Sequence, residues 1–364
     1  MDRREFRKIV PGVGRTPIFS TLVCLVVLLA VPVASGARAQ APIKVTAAYV
    51  GTVSDVGLYL AEKKGYFRDE GLDVALTQID QTNRMIPTLG TGDLDVGSGT
   101  IAAGLYNAVS RDIALRVVAD KGSVRAGYGY EGLLVRKDLV ESGRYKSFAD
   151  LKGMTIALGS LGSGNASVLN QALRRGGLRF SDANVVTLRF PQHLVAYSNK
   201  GIDASITNEP TITLAVEKGV AVKIAGNDKI HPSSQTAVLF YSEKFSRERS
   251  DAARKFMRAY IRAVRDYNDA LVDVKIAGPN ADEVIAVLQQ YTPIKDPALL
   301  RKITPAAVNP DGHVNLEGMN IDLAFYKEEG LIQDRTMTAE KIVDMSFVDA
   351  VVKELGPYRA RASR

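Results

Sequence analysis

The segment 57–76 constrains the fold most, because it places a helical pattern directly before a strand pattern. Apolar residues at helical spacing lead to Gly65, which suits the left-handed position at the end of a helix. An aromatic pair follows and is expected to pack back onto that helix. Gly71 then supplies a second turn, and alternation over 72–76 predicts a strand. Taken alone, this helix–turn–strand unit is explained by packing and carries no chemistry.

The same alternation of strand and helix patterns recurs in two halves of the chain. A glycine followed closely by an aspartate introduces a short strand in both halves, as Gly92-Asp93-Leu94-Asp95 and as Gly201-Ile202-Asp203. Between the halves, Lys121–Tyr130 is rich in glycine and tyrosine and interrupts the pattern. Alternating βα units predict a doubly wound α/β fold, here with two related lobes joined by a hinge. We assign residues 43–130 and 245–364 to the first lobe with its C-terminal helices, and residues 131–244 to the second.

The first 39 residues have the layout of an export signal. Basic residues precede an apolar run over 18–33, and Ala37–Ala39 offers the small residues of a cleavage site. A membrane anchor is the alternative, because the apolar run approaches spanning length. Arg3-Arg4 resembles a twin-arginine export signal, and the ordinary secretory route also stays open. We expect the mature protein to begin near Gln40 and to be periplasmic.

Composition argues against several classes of function. The chain has one cysteine, Cys24, and three scattered histidines, so no metal-ligand cluster is expected. The formal net charge is +7, but basic runs interleaved with aromatic residues are absent from the sequence, which argues against nucleic-acid binding. Gly159–Gly164 is glycine-rich but lacks the Lys-Ser/Thr ending of a nucleotide P-loop. We therefore expect no cofactor and no catalytic residues.

Several stretches resemble one family of transport proteins. Ala61–Phe67 (AEKKGYF) and Glu70–Val74 (EGLDV) resemble the first βαβ unit of ABC-transporter periplasmic binding proteins of the nitrate/sulfonate/taurine type. That group also includes binders of thiamine pyrimidine precursors. Asp150–Ala157 (DLKGMTIA) and Asn208-Glu209-Pro210 match later parts of the family pattern, and the resemblance covers nearly all of the mature chain.

The resemblance implies a fold of the periplasmic binding protein type II kind, and a monomer that closes on a small molecule. Its expected partners are that ligand, an inner-membrane ABC permease and the ATPase of the transporter. An enzyme similar to thiamine-pyrimidine synthase is one alternative. That enzyme carries a cysteine-rich motif, whereas the one cysteine here lies in the predicted leader. An exported ligand-binding sensor component is the other alternative.

Candidate ligand-binding residues lie where strands end and helices begin, since ligands bind at that edge of an α/β sheet. Ser98-Gly99-Thr100 and Gly162–Asn165 are each expected to open a helix whose N-terminus faces the cleft; simple helix capping is the alternative. An anionic or oxygen-rich ligand head, such as a sulfonate or carboxylate, is our first choice, and a neutral pyrimidine-like ring is the second. The candidates, including three aromatic walls, are Thr52, Ser54, Asn83, Ser98, Gly99, Thr100, Tyr128, Tyr130, Ser163, Gly164, Asn165, Phe190, Gln192, Asn208 and Glu209.

Overall fold

A computed structural model describes residues 41–79 and 81–360 of the chain. The predicted signal peptide lies outside these residues. Within the described ranges, no helix is both long enough and apolar enough to cross a membrane.

Twelve strands occur in the described residues, ten of them in two five-stranded sheets and two in a short hairpin. They are β1 (Ile43–Tyr49), β2 (Leu72–Gln78), β3 (Val96–Thr100), β4 (Leu115–Ser123), β5 (Glu131–Arg136), β6 (Thr155–Leu158), β7 (Asn184–Thr187), β8 (Ala204–Asn208), β9 (Ala221–Gly226), β10 (Gln235–Ser242), β11 (Leu271–Val272) and β12 (Lys275–Ile276).

Fifteen α-helices surround these sheets in the same part of the chain. They are α1 (Val56–Lys63), α2 (Tyr66–Asp69), α3 (Thr82–Thr91), α4 (Ala103–Val109), α5 (Lys137–Glu141), α6 (Gly164–Arg175), α7 (Phe190–Ser198), α8 (Thr211–Glu217), α9 (Asn227–Ile230), α10 (Glu243–Glu248), α11 (Ser250–Asp269), α12 (Ala281–Tyr291), α13 (Pro297–Lys302), α14 (Leu316–Glu328) and α15 (Ser346–Leu355).

The two sheets have matching topologies, as the repeated sequence pattern predicts. The strand order is β2-β1-β3-β10-β4 in the first sheet and β7-β6-β8-β5-β9 in the second. In each sheet the first three strands are parallel, and the fourth strand runs antiparallel to both of its neighbours. The doubly wound, two-lobed α/β fold predicted from the sequence is confirmed.

The strand β10 belongs to the first sheet, where it lies between β3 and β4. This placement differs from the sequence-based division, which put residues up to 244 with the second sheet. The second sheet ends with β9, so the chain crosses between the sheets after Ser123 and again before Gln235. Two neighbouring strands of the first sheet therefore connect to the second.

Three glycines in the segment 57–76 permit a close contact between helices and two left-handed turns in the first lobe. Gly57 lies against α11, where an added Cβ would come within 2.5 Å of the Tyr260 ring and 2.8 Å of Val264. Only a residue without a side chain lets these two helices approach so closely. Gly65 has φ +76° and Gly71 has φ +72°, so both predicted left-handed turns are present.

Two details of the helices differ from the sequence-based expectation. The predicted aromatic pair begins the short helix α2, in which Phe67 is buried and stacks on Phe256 of α11 with ring centroids 4.7 Å apart. The helix expected over 246–271 is divided into α10 and α11, since Arg249 between them has φ −126° and ψ 37°. The guanidinium of Arg249 forms an ion pair of 2.8 Å with the carboxylate of Asp95.

Candidate functional site

A cavity of about 430 Å³ lies between the two sheets. It is bounded by residues at or after the carboxyl ends of β1, β2, β3, β6, β7 and β8, the edge at which α/β sheets bind ligands. The first lobe contributes Val50, Thr52, Ser54, Gln81, Thr82, Asn83, Thr100, Ala102, Lys121, Thr236 and Ala237. The second contributes Tyr130, Glu131, Gly159, Ser160, Ser163, Gly164, Asn165, Thr187, Phe190 and Asn208.

Most of the candidate residues from the sequence meet at this cavity. Those that line it are Thr52, Ser54, Asn83, Thr100, Tyr130, Ser163, Gly164, Asn165, Phe190 and Asn208. Those that lie outside its lining are Ser98, Gly99, Tyr128, Gln192 and Glu209. The loops chosen at the strand ends are thus brought together from both lobes.

The stretch Ser98-Gly99-Thr100 does not open a helix. It is the end of strand β3 and pairs antiparallel with β10 over Ala237–Leu239. Ser98 is fully buried behind the cavity, and its hydroxyl donates to the carboxylate of Asp55. Gly99 leaves room for Thr82, whose hydroxyl oxygen accepts a hydrogen bond of 3.0 Å from the Thr100 amide.

The other three outlying candidates have structural partners. Tyr128 is covered by the Arg125 guanidinium, which lies 3.9 Å from the centroid of its ring. Gln192 accepts a hydrogen bond of 2.9 Å from the Arg189 amide at the start of α7. The buried carboxylate of Glu209 accepts a hydrogen bond of 3.0 Å from the Thr213 amide in α8. These three side chains serve packing and helix capping.

The loop before α6 reaches across the cleft and opens that helix, as predicted, with Ser163 at the N-cap position. The Ala103 amide at the start of α4 donates a hydrogen bond of 2.8 Å to the Gly162 carbonyl, so the lobes touch directly. The first amide of α4 is therefore engaged by protein rather than directed at a ligand. Gly159 leaves space for Phe190, whose ring an added Cβ would approach within 2.9 Å.

Lys121 is a cavity residue that the sequence analysis missed. Its side chain is almost wholly buried, and its ammonium group lies 2.7 Å from the carboxylate of Asp55. Asp55 also accepts amide hydrogen bonds of 3.0 Å from Gly51 and 2.9 Å from Thr52. A buried charge requires such pairing, since an isolated one is strongly disfavoured. Lys121 begins the segment that we interpreted as a hinge, and no pattern in the neighbouring sequence indicates that its side chain is buried.

Glu131 is a second charged cavity residue that the sequence analysis missed. It opens β5, is 3% exposed, and its carboxylate accepts a hydrogen bond from the side-chain amide of Asn165 on α6. The pKa of Glu131 is raised from 4.5 to about 7, chiefly by burial; the hydrogen bond from Asn165 acts to lower it, and the nearby carboxylate of Asp322 acts to raise it. An acidic acceptor therefore faces the cavity from the second lobe.

Among the described residues, no group of three or more His, Cys, Asp or Glu side chains is arranged to hold a metal ion. The ionisable groups at the cavity are instead paired with protein groups, as Lys121 is with Asp55. Hydroxyls, amides and two aromatic rings make up much of the remaining lining. Such a surface can bind a small polar molecule through hydrogen bonds and ring contacts.

The fold and the cavity define the class of two-lobed α/β proteins with a polar cleft between their sheets. The family described as NMT1/THI5 like matches residues 53–270, and the chain belongs to this family. It is 26% identical over 221 residues to a binding protein of Brucella abortus (strain 2308). It is 25% identical over 225 residues to 4-amino-5-hydroxymethyl-2-methylpyrimidine phosphate synthase THI13 of Saccharomyces cerevisiae. Each match covers 58% of this chain and spans 62% of the relative's length.

Solved structures share the fold over most of the chain. The periplasmic nitrate-binding protein NrtA from Synechocystis PCC 6803 superposes with a TM-score of 0.69 at 12% identity, covering 86% of this chain and 89% of that one. The alkanesulfonate-binding protein SsuA from Xanthomonas axonopodis pv. citri, bound to MOPS, gives 0.64 at 19% identity, covering 84% and 100%. The predicted resemblance to nitrate- and sulfonate-type binding proteins is confirmed, and a solute-binding role is supported.

Proposed function

We propose that this chain is the exported solute-binding component of an ABC importer. It would capture a small polar organic molecule between its lobes in the periplasm and deliver it to a membrane permease. The observation that carries the proposal is the cavity of about 430 Å³, which both lobes line with hydrogen-bonding side chains. That volume is within the range of small-molecule sites.

The connections between the lobes support a capture mechanism by closure. The chain passes between the sheets twice, through segments that follow β4 and precede β10. A ligand that contacts residues of both lobes binds the closed arrangement more tightly than an open one, and so favours closure. The hydrogen bond between Ala103 and Gly162 then adds a direct contact across the cleft.

Two side chains on opposite sides of the cavity provide the test of ligand contact. Thr100 lines it from the first lobe and Asn165 from the second. A hydrogen bond to a charged group contributes about 1.5–3 kcal/mol, which corresponds to roughly ten- to hundredfold in affinity. Thr100→Ala and Asn165→Ala are therefore each expected to weaken binding by about that factor while the fold is kept.

The experiment begins with a thermal-shift screen of small polar solutes, since a bound ligand raises the unfolding temperature by mass action. Calorimetry then compares wild type with both variants, and circular dichroism checks folding. Asn199→Ala, an exposed substitution on the second lobe, is the matched control and should bind as wild type does. Wild-type affinity in both cavity variants would contradict the placement of the ligand. A screen in which no solute binds would contradict the proposed function.

A further inference from the structure

The cavity lining carries few charges for its size. Among the described lining residues, Lys121 and Glu131 are the two that belong to the Asp, Glu, Lys, Arg and His types. One comes from each lobe, so the electrostatic character of the site depends on how these two groups are paired.

The positive charge of Lys121 is already neutralised within the protein. Its ammonium group lies 2.7 Å from the Asp55 carboxylate, and both side chains are at most 2% exposed. Asp55 is further fixed by the Ser98 hydroxyl and by the amide of Thr52. An anionic ligand would have to compete with this preformed pair, and it would gain little net attraction from it.

The carboxyl group of Glu131 has no such cation. Within the described part of the chain its hydrogen-bond partner is the neutral side-chain amide of Asn165. One amide donor satisfies a small part of the acceptor capacity of a carboxylate, which has about four lone-pair sites. Since Glu131 is buried and lines the cavity, this remaining capacity is available to a ligand bound there.

We propose that Glu131 selects the ligand by charge, so that the site takes an organic molecule with a cationic or neutral N–H donor head and rejects anionic heads. This inference rests on the proposed function and assigns the ligand class at the same cavity. A cationic head would complete a charge-assisted hydrogen bond with the carboxylate. A sulfonate or carboxylate head would place two like charges together in a buried site. The charges thus disfavour the anionic head that was our first choice from the sequence.

Four benzene derivatives of nearly equal size test the proposal, because they differ mainly in the charge of the head group. Benzamidine is a cation, benzamide is neutral, and benzoate and benzenesulfonate are anions. Binding is measured by calorimetry at pH 8, where a carboxyl with a pKa of about 7 is mostly ionised. Benzamidine is expected to bind about ten- to hundredfold more tightly than benzamide, with the two anions weaker than both.

Glu131→Gln removes the charge and keeps the size of the side chain. It is expected to weaken benzamidine binding by about ten- to hundredfold and to leave benzamide binding nearly unchanged, so that the preference for the cation disappears. Glu248→Gln is the matched control, because Glu248 is exposed on α10 and away from the cavity lining. It should keep the wild-type order of affinities.

The outcomes separate this inference from the proposed function. Anions binding more tightly than benzamidine, or a cation preference that survives in Glu131→Gln, would overturn the role of Glu131. A solute from the broader screen that binds in the cleft while benzamidine fails to bind would also overturn the inference, but the solute-binding function would stand. Failure of every solute and every probe would overturn both.

Discussion

Glu131→Gln is expected to make the folded protein more stable at alkaline pH, because Glu131 is ionised there at a cost. Burial raises its pKa from 4.5 to about 7. Between the pH values that equal these two pKa values, Glu131 keeps a proton in the folded state that it has released in the unfolded state. The free energy of unfolding therefore falls as the pH rises. The difference corresponds to about 3 kcal/mol above pH 8 and to about 1 kcal/mol at pH 5.

Glutamine carries no such penalty, and it can still accept a hydrogen bond from Asn165. The variant should therefore exceed wild type in stability by about 3 kcal/mol at pH 8 and by much less at pH 5. The ionisable groups with electrostatic influence at Glu131 are unchanged in the variant, so their own titration largely cancels in the comparison. They are Asp322 and Tyr326 on α14 and Tyr130 beside β5.

Urea unfolding at pH 5 and pH 8 measures the difference, and the slope of each transition reports whether the unfolded states are comparable. Far-UV circular dichroism is the suitable signal, because the chain contains no tryptophan. Glu248→Gln should show neither gain. A Glu131→Gln variant that is no more stable than wild type at pH 8, or whose gain is the same at both pH values, would refute the account of Glu131 as a destabilising carboxylate.

Two further substitutions, one at a buried ion pair of the cavity and one in α14, are tested by urea unfolding. Lys121→Met leaves the buried Asp55 carboxylate without its cation and should lower the free energy of unfolding by about 3–5 kcal/mol. The double variant Lys121→Met, Asp55→Asn should recover part of this loss. A Lys121→Met variant as stable as wild type would contradict the pairing. Gly318→Ala should destabilise α14 by about 1–3 kcal/mol although helix propensity favours alanine, because the new methyl would collide with the Ser233 carbonyl. Gly164→Ala, where an added Cβ meets open space, should be tolerated, and equal behaviour of the two glycines would refute the prediction.

The order of strands and helices was predictable because its signals are local. Gly65 and Gly71 mark turns by their conformational freedom, and their positive φ angles in the structure agree. The loop Gly162–Asn165 was predictable as part of the site, since any loop at the carboxyl end of a parallel strand faces the ligand edge. These features follow from residues near one another in the sequence.

The features that were missed depend on distant partners. Ser98–Thr100 consists of small residues that resemble a loop, and only pairing with β10, far along the chain, makes it a strand. Lys121 and Glu131 are charged residues, and a single sequence offers no local sign that a charge is buried. Their position at the two ends of the glycine-rich crossing was the one available hint, because a crossing between lobes must pass beside the cleft.

The position of β10 also sets the order in which the two sheets can be completed. Residues 131–226 contain all five strands of the second sheet, so that sheet has its full set of strands before Gln235 is added to the growing chain. The first sheet has β4 at its edge but lacks the strand that joins β4 to β3. The lobe that begins the chain is therefore the last to reach its final strand order, and a chain ending before Gln235 would leave β4 without its neighbour in the sheet.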